Sequence, residues 1–198
     1  MEKDRLSAFS DGVIAIIITI MVLELKVPHN TDWAALRALL PIFSSYVMSF
    51  VYVAIYWHNH HHLLQLVDRV DGLILWANSH LLFWLSLIPF ATGWMGENYF
   101  APLPTALYGV ALLMPAIAYS LLVLAIIRNQ GAQSKLASAL GADIKGKLSP
   151  FVYLIAIGTA FMHPWVSVAL FVFMALVWLV PDRRIERLFR AEAGGRTP

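Results

Sequence analysis

The sequence predicts an all-α polytopic membrane protein with six transmembrane helices, and three observations carry that expectation. Hydrophobic residues make up 60% of the 198-residue chain and charged residues only 13%, too little polar surface to wrap a water-soluble globule. The apolar residues gather in runs long enough to cross a bilayer core, which takes about 20 helical residues. The lysines and arginines fall almost entirely on one of the two sides that those runs define.

The first run covers residues 9–27. Lys3 and Arg5 ahead of it imitate a secretory signal, but Glu24, Leu25 and Lys26 follow in place of a small-residue cleavage site, so an uncleaved span is expected. Further runs cover 38–58, 72–95, 103–127, 148–162 and 164–181, each bounded by charges, proline or a polar cluster. Only His163 and Pro164 separate the last two, which predicts either a tight helical hairpin or one long kinked helix. Residues 1–181 then form the transmembrane domain and 182–198 a tail whose Ile185, Leu188 and Phe189 share one helical face, suited to extending the last span or lying on the membrane surface.

One side of this arrangement holds Lys3, Arg5, Arg69, Arg128, Lys135, Lys145, Lys147 and the tail arginines, and the other only Lys26 and Arg37. The positive-inside rule therefore places both termini in the cytoplasm. The same scatter of basic residues, with no stripe and no interleaved aromatics, excludes a nucleic-acid surface. With no cysteine, disulfides, thiol catalysis and thiolate metal sites are excluded too. The chain has no length left for a soluble catalytic domain, and no repeat of the first half is visible in the second.

The segment Arg5-Leu6-Ser7-Ala8-Phe9-Ser10-Asp11-Gly12 runs directly into the first span. A carboxylate at the mouth of an apolar helix is costly unless paired or hydrated, so Asp11 is a functional candidate; the alternative is that Ser10 or Asp11 caps the helix N-terminus. The pattern Arg5-x-x-x-Phe9-Ser10-Asp11 resembles the first-helix signature of the transmembrane protein 175 family, the lysosomal and prokaryotic potassium channels. The likeness continues through Ile16, Thr19 and Leu23-Glu24-Leu25-Lys26-Val27-Pro28, then in Tyr56-Trp57, His60-His61, Trp76-Ala77-Asn78 and Leu85-Ser86-Leu87-Ile88-Pro89-Phe90. It covers about the first half of the chain, and the second half only as hydropathy.

The resemblance implies a homotetramer of six-helix subunits in a lipid bilayer, helix 1 of each lining a central pore for potassium and other monovalent cations, with no cofactor and no metal beyond the permeant K+. The Thr-Val-Gly-Tyr-Gly filter of ordinary potassium channels is absent. In the family, large aliphatic side chains of the first helix make the constriction, and the equivalent position here, five residues past the motif aspartate, is Ile16. Helical spacing puts Thr19, Ile20 and Leu23 on the face of Ile16, while Asp11 lies about 140° round the helix. Asp11 is thus expected to point into the subunit, towards Arg5, His60, His61 or Asn78. A ring of Ile16 side chains would gate by dewetting, and Thr19 one turn deeper would offer oxygen to a partly dehydrated ion. The plainer alternatives are that Ile16, Ile20 and Leu23 face lipid or other helices, and that Thr19 bonds back to Ala15.

His58, His61 and His62 fall at a spacing that can present imidazoles to one metal ion, but no acidic partner stands at the spacing of a zinc-protease helix, and an interfacial, hydrogen-bonding or pH-responsive role is expected instead. Relatives commonly carry arginine where this chain has His62. Gly141 to Lys147 imitates a phosphate loop, but Leu148 replaces the needed Ser or Thr. Trp57, Trp76, Trp94, Trp165 and Trp178 are expected as interface anchors and Asn78 as a bridge between helices. A membrane enzyme would rest on the histidines alone. A cation- or proton-coupled secondary transporter is the alternative to a channel, yet Asp11 is the only carboxylate near a span interior. A multi-pass protein of the inner (plasma) membrane is expected.

Overall fold

The computed structural model describes residues 3–67, 69–131 and 144–179, and among these the regular elements are all helices, without a strand. Helix α1 runs Lys3–Leu23, α2 Trp33–Ala38, α3 Leu40–Gln65, α4 Gly72–Ser86, α5 Ile88–Glu97, α6 Pro102–Gln130, α7 Ile144–Ala160 and α8 Pro164–Leu179.

Among the described residues four helical segments are long and apolar enough to cross a membrane: α1, α3, α4 with α5 taken together, and α6. The remaining two expected spans are α7, described over 17 residues, and α8, described over 16. Phe161, Met162 and His163 join them as a tight hairpin, not as one kinked helix. The hairpin is antiparallel: Trp178 Nε1 donates to Ser149 Oγ at 2.9 Å near one end, and Ser167 Oγ to the Ala156 carbonyl at 2.7 Å near the other. The tail at 182–198 and Lys135 lie outside the described residues.

Two further boundaries differ from the sequence expectation. Helix α1 begins at Lys3, so Ser10 and Asp11 sit two turns inside it and cap nothing. The expected third span is two helices, broken at Leu87. Pro89 has no N–H to give and its ring crowds the carbonyl of the preceding turn, so the ladder shifts locally and the Leu87 amide bonds Trp84 at 3.2 Å.

Side chains bury themselves in two groups. At the end holding the start of α1, the ends of α3 and α6 and the start of α4, the core includes Ile14, Ile17, Val53, Leu81, Leu122 and Ile126. At the other end Met48, Met95, Tyr108, Phe171 and Met174 pack α3, α5, α6 and α8. Lipid is as apolar as these side chains, so close fit and internal hydrogen bonds hold the helices together. The fit is tightest where α5 meets α3: a Cβ on Gly96 would stand 2.8 Å from Ile42 Cα. Nearby, Ser49 Oγ lies 2.6 Å from Thr92 Oγ1 and 2.9 Å from Tyr108 OH. Thr92 gives its proton to the Ile88 carbonyl at 2.7 Å, so Ser49 donates to Thr92 and accepts from Tyr108. One chain of hydroxyls thereby ties α3, α5 and α6.

Candidate functional site

Helix α1 has two unlike faces. Leu6, Ser10, Ile14, Ile17 and Met21, at successive spacings of three or four residues, form a buried stripe against α3, α4 and α5. On the far side Phe9, Ile16, Ile20 and Leu23 are 59%, 58%, 44% and 76% exposed. Gly12 between them has nothing within 4 Å of where a Cβ would stand. Thr19 lies on the same open face, its hydroxyl proton shared between the Ile16 carbonyl at 2.8 Å and the Ala15 carbonyl at 3.1 Å. The proton is turned back into the helix, which leaves the oxygen with acceptor capacity only.

Asp11 is half-buried at the edge of the two faces. Its Oδ1 accepts from Trp57 Nε1 of α3 at 3.0 Å, and Oδ2 faces Ser7 Oγ at 3.4 Å. This corrects the expected partners. Arg5 is exposed and unpaired among the described residues; His60 and Asn78 are engaged elsewhere, and His61 reaches Gln65 Nε2 at 2.9 Å. Trp57, expected as an interface anchor, is the residue that grips the motif carboxylate, and its ring stacks on His61 with centroids 6.1 Å apart.

The buried network belongs instead to Ser10. Its hydroxyl donates to the Leu6 carbonyl at 2.8 Å, so towards Asn78 Nδ2, 3.0 Å away, it can only accept. Asn78 therefore turns its oxygen to His60 Nε2 at 2.7 Å, and the imidazole carries its proton on Nε2. All three side chains are fully buried. The chain His60 to Asn78 to Ser10 to Leu6 runs from α3 through α4 into α1 with each proton assigned. His60 Nδ1 is left as a buried acceptor without a partner.

The neighbouring histidine rings stay close, with the His62 centroid 4.4 Å from that of His58 and 5.8 Å from that of His61. His58 Nε2 and His62 Nε2 stand 3.1 Å apart while His61 turns to Gln65. No group of three metal-ligating side chains gathers among the described residues. At the same end of the bundle Asp71 caps α4, accepting from the Ile74 amide at 2.8 Å and from Asn129 Nδ2 of α6 at 2.8 Å; these bonds hold its carboxyl below the usual carboxylate range. At the opposite end Lys26 Nζ pairs with Glu97 Oε1 at 2.9 Å, and that bond and charge raise the Lys26 amine. Glu24 lies against Gly93 beside it.

Residues 5–89 match the family described as the endosomal/lysosomal potassium channel TMEM175. A protein of Chryseobacterium sp. (strain P1-3) named as a potassium channel is 54% identical over 187 residues, 94% of this chain and 97% of that one. The chain belongs to the TMEM175 family. A second relative so named, from Streptomyces collinus, is 29% identical over 89% of this chain and 91% of its own. The solved structure of a lysosomal potassium-selective channel TMEM175 homolog from Chamaesiphon minutus superposes with a TM-score of 0.80 at 29% identity, covering 90% of this chain and 97% of that one. The TMEM175 match runs from Arg5 to Pro89. It thus encloses the open face of α1 and the side chains of the hydrogen-bonded tethers that hold it: Trp57, His60 and Asn78.

Proposed function

We propose that this TMEM175-family protein is a potassium channel in which four copies surround an axis lined by α1. The observation that carries the reading is the division of α1 into a bonded, buried back and an open stripe of Ile16, Thr19, Ile20 and Leu23. A helix fixed so firmly to its own subunit presents its free face to whatever lies outside, and a ring of four such faces encloses a pore. The relatives, named as potassium channels, support the ion.

In this reading six helices of each subunit cross the bilayer, the α7–α8 hairpin included, and the end carrying Lys3, Arg5, Arg69, Arg128, Lys145 and Lys147 faces the cytoplasm of a plasma membrane. The four Ile16 side chains form a constriction that empties of water and stops ions when narrow, and fills when the helices part. Thr19, its proton already given to the helix backbone, turns oxygen lone pairs to a passing cation. Asp11 does not line the pore; Trp57 holds it to α3, so its charge fixes the helix instead of meeting the ion. That placement also weighs against a coupled transporter, which needs a titrating carboxylate on the transport path.

Purified protein in liposomes under a potassium gradient tests this. Unitary currents, or flux that rises with the gradient without saturating, are expected. Slow, saturable turnover or a flux coupled to protons sinks the channel reading.

A further inference from the structure

A cavity of about 460 Å³ opens between α3, α6 and α7, in the half of the bundle away from Lys26 and Glu97. It lies within the range of about 300–1,000 Å³ typical of ligand sites. No residue of α1 lines it, so it takes no part in the proposed conduction path. Its walls are aromatic and aliphatic: the rings of Tyr56 and Tyr119 meet edge to face with centroids 6.3 Å apart, and Val123 and Tyr153 close the sides.

One end of this apolar space is polar. Among the described residues the Tyr56 hydroxyl and the Asn59 side-chain amide, both lining the cavity, have no hydrogen-bond partner. Lys147 stands on the rim, exposed, with no described carboxylate paired to it. Arg128 follows one helical turn after the lining residue Leu124 on α6, so a second cation stands on the same side of that helix, beyond the cavity. The helices that form it have lipid beside them, not water. An apolar space capped by hydrogen-bonding groups and two cations at the basic end of a bundle fits an amphiphile with a negative head.

We infer that the cavity binds an anionic membrane phospholipid, one acyl chain between Tyr56, Val123 and Tyr153 and the phosphate at Lys147 and Arg128. A zwitterionic lipid offers the same chain without the net charge, and each cation near the surface favours an anionic head by roughly fivefold. A free fatty acid offers chain and charge without phosphate.

The test is native mass spectrometry of the full chain titrated with phosphatidylglycerol, phosphatidylcholine of the same acyl chains, and oleate. Phosphatidylglycerol is expected to bind one per chain, roughly thirtyfold tighter than phosphatidylcholine with two cations acting. Lys147→Gln and Arg128→Gln, both at exposed positions, should each cut that preference by roughly fivefold. Val123→Trp, which fills the cavity, should abolish binding of all three. Equal binding of the two phospholipids, an unchanged preference in the Gln variants, or full binding by folded Val123→Trp overturns the inference. Oleate displacing phosphatidylglycerol overturns the phospholipid as occupant. If Val123→Trp does not fold, the Gln variants decide alone.

Discussion

Trp57 Nε1 stands 3.0 Å from Asp11 Oδ1 and clamps the first helix to the third. The geometry is that of a charge-assisted bond, and Trp57 is 45% exposed, so solvent competes for both partners. Trp57→Phe keeps the ring stack on His61 and deletes the donor. We expect a stability loss of about 1 kcal/mol, read by thermal unfolding in detergent. Changed channel opening should accompany it, because α1 loses its outer tether. Unaltered melting together with unaltered single-channel open probability would remove Trp57 from the mechanism.

The inner tether is costlier to break. Asn78→Leu removes both the acceptor of the His60 Nε2 proton and the donor to Ser10, stranding polar atoms of fully buried side chains. Each such group costs about 1–3 kcal/mol when unpaired. Ser10→Ala should cost less, since Asn78 then loses one acceptor while the Leu6 carbonyl keeps its helical bond. Melting temperatures that fall further for Ser10→Ala than for Asn78→Leu would contradict the proton order assigned to this chain.

The division of labour in α1 was readable in the sequence, because a face repeats every three or four residues whatever surrounds it. Once the family resemblance marks Ile16, helical spacing adds Thr19, Ile20 and Leu23 to its face and turns Asp11 away from it. What Asp11 touches did not follow. Trp57 lies 46 positions away, and only the crossing of α3 over α1 decides whether it or His60, one turn on, reaches the carboxylate. A start at the first apolar residue makes Ser10 a cap, but the polar turns from Lys3 are helical as well, so Ser10 lies inside α1 and its hydroxyl is free to join the buried chain. Pro89 announced the break in the third span, but a single hydropathy window runs straight through it.

Asp71 makes stability depend on pH in one direction. Its carboxyl sits below the usual range because the Ile74 amide and Asn129 bond the charged form. A depressed folded value means that the contribution is complete above the unfolded carboxylate value of about 3.9 and is lost as pH falls through the folded value. Asp71→Asn, which keeps an oxygen acceptor but cannot titrate, should lower the melting temperature at pH 7. The gap from the unsubstituted protein should narrow below pH 4. A gap that widens in acid would reverse the assignment.

Ile16 offers the sharpest separation of the pore reading from the plainer one, in which the open face of α1 merely meets lipid. It is 58% exposed in the subunit, so replacing it should scarcely disturb the fold of one copy, and effects on current report what lies outside it. At a given width, dewetting depends on the apolar character of the ring. Ile16→Asn, similar in size but able to hold water, should therefore raise conductance, whereas Ile16→Leu should leave it close to the unsubstituted value. If the stripe faced lipid, a buried amide would instead cost about 1–3 kcal/mol in lost assembly or folding and leave current per channel untouched. Equal single-channel conductance in the Asn and Leu variants, with reduced yield of the Asn variant, would move Ile16 from the axis to the membrane.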